Sequence, residues 1–191
     1  MISTFTVVFD SNVLYSIRLT SLLMELAMSG LFRARWSADI HAEWIAAVSE
    51  QCGIDPAALA VRRECMDQAV PDGCVVGYEP LIAGLKLPDP NDRHVLAAAI
   101  RCGASAIVTF NQKDFPVEII VPFGIHTRHP DDFILDVEGL DPGTLVDAAR
   151  ADLAHYANPP LSADDYIGGL RRCDVPKTAE FLIRTRAPLT E

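Results

Sequence analysis

The stretch at residues 6–12, TVVFDSN, decides the fold. Its first four residues are β-branched or aromatic, which predicts a short buried strand that ends at Asp10. Residues 14–28 follow with leucines at helical spacing, and Gly30 ends that predicted helix. A short, wholly apolar strand that leads into a helix is typical of a parallel sheet with both faces covered.

The rest of the chain continues this alternation and then changes. The predicted helices up to residue 128 cover 37–50, 56–69, a turn or two within 80–85, and 89–101. The further predicted strands cover 74–76 and 106–110, with short pieces within 117–127. From Pro130 onward we predict helices alone, over about 130–137, 142–157, 162–172 and 176–185. The pattern indicates an α/β unit followed by a helical segment.

Composition sets limits on the class of protein. The chain has 191 residues, of which 50% are hydrophobic and 22% charged, so it has enough apolar surface for a core and is not a disordered protein. Its five cysteines are odd in number and form no C-x-x-C motif, which favours reduced thiols in the cytoplasm over a disulfide scaffold. No apolar run reaches the length that a membrane-spanning helix needs.

The net charge of −10 argues at first against a nucleic-acid partner, because binding a polyanion favours a basic surface. The charge is unevenly spread, however. Up to Arg128 the chain has 10 basic and 14 acidic residues, and from His129 onward it has 6 and 12. The acidity is therefore concentrated in the predicted helical segment.

Acidic residues occur where a parallel sheet would bring them together. Asp10 and Asp114 follow predicted strands, Asp92 begins a predicted helix, and Glu43 lies on an earlier helix. Ligands bind open α/β sheets outside the carboxyl ends of the strands. Several carboxylates at that edge repel one another unless a cation is bound, and oxygen ligands suit Mg²⁺ or Mn²⁺ rather than zinc.

Each of these acids also has a purely structural interpretation. The sequence Asp89-Pro-Asn-Asp92 is a good helix start by itself, with Asp89 as the cap. Glu43 resembles an ordinary residue on a polar helix face, and Asp39 or Glu50 on the same helix would serve equally well. The combination of the acids, rather than any one of them, supports a functional site.

Three segments together resemble a known family. They are residues 7–14 (VVFDSNVL), 87–99 (LPDPNDRHVLAAA) and 107–116 (IVTFNQKDFP). Their order and spacing are similar to those of PIN-domain ribonucleases, most of all the VapC-type toxins of bacterial toxin–antitoxin pairs. The resemblance implies a PIN-like three-layer α/β fold with a central parallel sheet flanked by helices. It places a nuclease domain at residues 1–128 and a C-terminal helical extension at 129–191.

The resemblance also implies roles for individual residues. The residues matched to the catalytic, metal-binding acids are Asp10, Glu43, Asp92 and Asp114, with Mg²⁺ or Mn²⁺ as the cofactor. The residues matched to supporting polar positions are Ser11, Asn12, Asp89, Thr109 and Asn111.

The activity that the resemblance implies is endonucleolytic hydrolysis of RNA phosphodiester bonds by a metal-activated water. The partners would be RNA, a small antitoxin protein and a second copy of the chain. Two alternatives stay open: a PIN-like binding or regulatory module with an incomplete set of acids, and another Mg²⁺-dependent phosphohydrolase.

Overall fold

The computed structural model describes residues 5–185 and residue 189, so the outermost residues of both predicted domains lie outside the described part of the chain. The described residues form one sheet of five strands. These are β1 (Thr6–Phe9), β2 (Arg33–Ser37), β3 (Cys74–Val75), β4 (Ala106–Val108) and β5 (His126–Arg128).

Eleven α-helices connect or follow these strands within the described residues. They are α1 (Ser11–Leu14), α2 (Ile17–Met28), α3 (Ala38–Cys52), α4 (Pro56–Ala69), α5 (Glu79–Ile82), α6 (Arg93–Arg101), α7 (Val117–Ile120), α8 (Pro130–Leu140), α9 (Thr144–Ala154), α10 (Ala163–Arg172) and α11 (Pro176–Arg184).

The sheet is wholly parallel and its strand order is β3-β2-β1-β4-β5. β1 lies at the centre, where Val8 is opposite Arg35 of β2 on one side and Ile107 of β4 on the other. The predicted α/β fold with a central parallel sheet flanked by helices is therefore confirmed. Because all strands run the same way, the residues after β1 and β4 meet at one edge of the sheet.

The structure corrects the predicted elements in four places. The strand pieces predicted within 117–127 are wrong up to residue 123, where the chain forms α7 and a 3₁₀ turn. β2 was missed, because Arg33 and Arg35 interrupt the apolar pattern that a buried parallel strand normally shows. The predicted strand at 106–110 ends earlier, at Val108, and the chain bends at Phe110. The single helix predicted from residue 14 is two helices, because Ser16 has extended backbone and caps α2 through its hydroxyl.

The C-terminal helices share the core of the sheet. Phe133 of α8 is fully buried, with its ring centroid 5.8 Å from that of Phe9 and 4.9 Å from that of Phe32. Asp152 of α9 is also fully buried, and its carboxylate accepts hydrogen bonds from the Ser21 and Tyr166 hydroxyls. One hydrophobic cluster thus extends from β1 to α11.

The cysteines, all of them described, form no disulfide. Among the described residues, no helix has the length and hydrophobicity needed to cross a membrane.

Candidate active site

Asp10 lies at the centre of the candidate site, directly after β1. It is only 3% exposed and caps α1, with Oδ1 accepting from the Ser11 backbone N–H at 2.7 Å. Oδ2 accepts from Asn12 Nδ2 and Thr109 Oγ1, each at 2.7 Å. Burial raises the pKa of Asp10, the hydrogen bonds from Thr109 and Ser11 lower it, and the charge of Glu43 raises it. The three hydrogen bonds hold the carboxylate in one orientation.

The loops after β1 and β4 are joined through the same polar groups. The Thr109 hydroxyl donates to Asp10 and accepts from Asn12 Nδ2 and from the Asn111 backbone N–H, both at 3.0 Å. Asn12 Oδ1 accepts from the Phe110 backbone N–H at 3.1 Å. Ser11, Asn12 and Thr109 thus contact the Asp10 carboxylate, whereas Asn111 contributes its main-chain N–H to Thr109.

Asp92 lies at the start of α6, after a 3₁₀ turn over Pro90–Asp92. Asp89 caps that turn by accepting from the Asn91 backbone N–H at 2.8 Å, the role that the structural interpretation predicts. The pKa of Asp92 is raised to about 7, first by burial and then by the charges of Asp10, Asp89, Asp114 and Glu43. The charges of the other three matched acids therefore all act on the Asp92 carboxyl group.

Glu43 on α3 forms a contact that sequence reasoning missed. Its Oε1 lies 2.7 Å from Nε2 of His94, which is 8% exposed. His94 stands next to six consecutive apolar residues of α6, a pattern typical of an ordinary core position, and lies 51 residues away from Glu43. The nearest signal in the sequence is its position two residues after Asp92.

The other two α3 acids that sequence reasoning left open are placed differently. Asp39 Oδ2 accepts from the Tyr78 hydroxyl at 2.8 Å, so it already has a structural partner. Glu50 is exposed near the end of α3. Glu43 is the α3 carboxylate whose charge raises the pKa of both Asp10 and Asp92.

The donor chemistry of the site fits a hard divalent cation. Carboxylate oxygens are the ligands that Mg²⁺ prefers, and a cation relieves the repulsion that raises the Asp92 pKa. The described residues contain no group of three or more His, Cys, Asp or Glu side chains already arranged around a common point. Asp92 and Asp114 both lie on 3₁₀ turns, and within the described residues neither carboxylate accepts a hydrogen bond, so both are available to turn towards an ion.

Comparison with known proteins identifies the families that the two parts of the chain resemble. The family model of the PIN domain matches residues 6–113, and that of the VapC50 C-terminal domain matches residues 130–184. A curated relative, the putative ribonuclease VapC50 of Mycobacterium tuberculosis, is 38% identical over 94 residues, which are 49% of this chain and 55% of that protein. The matched segment thus spans about half the length of that relative. The comparison with solved structures yields no significant match.

Proposed function

Because the chain is a VapC-type member of the PIN-domain family, we propose that it is a metal-dependent endoribonuclease that hydrolyses RNA phosphodiester bonds. The observation that supports the proposal is that Asp10 and Asp114 follow β1 and β4, which are adjacent strands of the parallel sheet, and that the charges of Asp10, Asp114 and Glu43 contribute to the raised pKa of Asp92. Such a group of acids destabilises the folded protein unless it binds a cation.

The cofactor in this proposal is Mg²⁺ or Mn²⁺, held by Asp10, Glu43, Asp92 and Asp114. When bound, the ion would lower the pKa of water enough to make hydroxide available near neutral pH. Thr109 and Asn12 orient the Asp10 carboxylate, because both donate to its Oδ2. Asp92, with a pKa of about 7 in the metal-free protein, would have to be deprotonated to hold the ion. The products would carry a 5′-phosphate and a 3′-hydroxyl.

The test is cleavage of single-stranded RNA by the purified protein with Mg²⁺ or Mn²⁺, compared with Asp10→Asn. We expect the substitution to abolish cleavage, because it removes a charged ligand and places an amide where Thr109 and Asn12 donate. Glu50→Gln, which alters an exposed acid on α3, serves as the matched control and keeps wild-type activity.

Equal cleavage by the wild type and Asp10→Asn would exclude this function. A protein that binds Mn²⁺ and RNA without cleaving would be a PIN-like binding module. Faster hydrolysis of small phosphoesters than of RNA would indicate another phosphohydrolase.

We also propose that the protein is the toxin of a toxin–antitoxin pair in the cytoplasm, where its unpaired thiols stay reduced. An apolar groove of about 850 Å³ begins at Asn12 and includes Phe110 and Ile17, whose side chain is 65% exposed. A small antitoxin that covers this groove would bury apolar surface beside the acids. Co-expression with the protein encoded by the adjacent reading frame, followed by co-purification, tests this partner.

A homodimer completes the proposal, as the family resemblance implies. We expect light scattering on the purified chain to give twice the 20.8 kDa monomer mass. A monomeric mass at micromolar concentration would contradict this part alone.

A further inference from the structure

Glu43 differs from Asp10 in how it is held. Asp10 is buried and fixed by the loop after β4, whereas the Glu43 side chain is 40% exposed on α3. An exposed glutamate samples several rotamers, and fixing it on an ion costs side-chain entropy. The contact of Glu43 with His94 at 2.7 Å limits that freedom.

The surroundings of His94 define which atom carries the proton in this contact. Its side chain is 10% exposed, and its Nδ1 is buried with no hydrogen-bond partner among the described residues. A buried N–H without an acceptor is rarer and costlier than a buried lone pair without a donor. The proton therefore lies on Nε2, which donates to Oε1 of Glu43. Oε2 of Glu43 is then free to bind a cation.

We propose that His94 is a positioning residue that holds Glu43 for the divalent cation and thereby sets the affinity of the site. Both Asp92 and His94 come from the start of α6, so one helix supplies a ligand and aligns another. Hydrogen bonds of this kind behind a metal ligand contribute about 10–100-fold to metal affinity or activity. The inference rests on the proposed function only in requiring a divalent cation at this site.

The test compares two amides of different reach in the full chain. In His94→Gln the amide nitrogen lies near the position of Nε2, whereas in His94→Asn it lies near Nδ1 and does not reach Glu43. Calorimetry with Mn²⁺ should give an affinity within about threefold of the wild type for Gln and a loss of about tenfold or more for Asn. His126→Asn, at an exposed strand residue, controls for the loss of a histidine and keeps wild-type affinity.

A second measurement does not depend on whether the His94 variants fold. The Nε2 proton of His94 should be a slowly exchanging imidazole resonance in the NMR spectrum of the wild-type protein, because it is buried and hydrogen-bonded. Glu43→Ala, at an exposed side chain, should abolish that protection. An unprotected proton in the wild type would overturn the proposal.

The outcomes separate this inference from the proposed function. Equal Mn²⁺ affinity in the wild type and both His94 variants, or equal loss in both, would overturn the positioning role. The expected affinities without RNA cleavage would leave His94 in its role and exclude the nuclease. Absence of Mn²⁺ binding by the wild type would overturn both.

Discussion

At the scale of single residues, the proposed role of Glu43 can be tested by comparison with Glu50, another glutamate on α3. We expect Glu43→Gln to reduce RNA cleavage by about 10–100-fold, because it removes one carboxylate ligand and weakens the acceptor for His94. The matched change Glu50→Gln on α3 should leave cleavage within twofold of the wild type. Initial rates at saturating Mn²⁺ and RNA measure both, and equal loss in the two variants would contradict the assignment of Glu43.

Asp92 predicts a pH-dependent stability for the metal-free protein. Its pKa is about 7 in the folded chain and about 3.8 when unfolded, so the folded state binds more protons between these values. The stability of the metal-free protein therefore falls as pH rises from about 4 to 7. Asp92→Asn removes this penalty, so its Tm should exceed that of the wild type at pH 8 and match it near pH 4.

Thermal unfolding in EDTA measures this difference in Tm. Addition of Mn²⁺ at pH 8 should raise the Tm of the wild type and leave that of Asp92→Asn nearly unchanged, since the variant lacks a ligand. An Asp92→Asn variant that is less stable than the wild type at both pH values would show that the carboxylate is structural.

Site residues that could be predicted from the sequence make contacts with neighbours in the chain. Those that could not be predicted make contacts with residues far away in the chain. Asp10 was predictable because it follows a strand directly, and its contacts with Ser11 and Asn12 are local. Whether Asp39, Glu43 or Glu50 faces the site depends on how α3 packs against α6, which no local pattern encodes. His94 was missed for the same reason, since its partner lies on another helix.

At the scale of elements, the turn before β3 shows how tightly the strands are packed. Gly73 is buried, and a Cβ added there would lie 2.5 Å from Cζ2 of Trp36 in β2. Gly73→Ala should therefore destabilise the protein by about 1–3 kcal/mol through overpacking. Gly139 in α8 is exposed with open space around it, so Gly139→Ala should stabilise by about 0.5–1 kcal/mol.

Urea denaturation at constant pH measures both changes in the free energy of unfolding. The opposite signs are the essential result, because the two substitutions are chemically identical. A stabilising Gly73→Ala would mean that Trp36 moves aside at little cost.

β2 illustrates which elements local reasoning finds. β1 and β4 are apolar on both faces and were recognised from their composition, as expected for strands inside a parallel sheet. In β2 only Ala34, Trp36 and Ser37 are buried, and the two arginines between and before them conceal the strand. Its place in the sheet is fixed by hydrogen bonding to β1, a non-local contact.

At the scale of the whole molecule, the division at residue 128 stays a prediction about the sequence. The two matched families end and begin on either side of it, at residues 113 and 130. In the folded chain Phe133 packs on Phe9, and Asp152 accepts a hydrogen bond from Ser21 of α2. The C-terminal helices thus form part of the hydrophobic core that packs against β1, the strand that ends next to Asp10.

The distribution of charge leads to a prediction about RNA binding. Up to Arg128 the chain has four more acidic than basic residues, which is the number of carboxylates in the proposed metal site. Bound divalent ions would neutralise them and leave this part near zero charge. We therefore expect RNA to bind at least tenfold more tightly in Mn²⁺ than in EDTA, as measured by fluorescence anisotropy before appreciable cleavage has occurred.

A charge outside the proposed site provides the control for RNA binding, and the salt dependence of the affinity provides a second measurement. Asp141→Asn removes a negative charge from the acidic C-terminal part, and it should leave RNA affinity in EDTA within twofold of the wild type, because that charge is not in the proposed site. Affinity in Mn²⁺ should fall only gently with added salt if the bound ions, rather than basic side chains, supply most of the attraction for RNA. Equally tight binding in EDTA and in Mn²⁺ would mean that basic side chains alone attract RNA, and that the four carboxylates do not control access to the site.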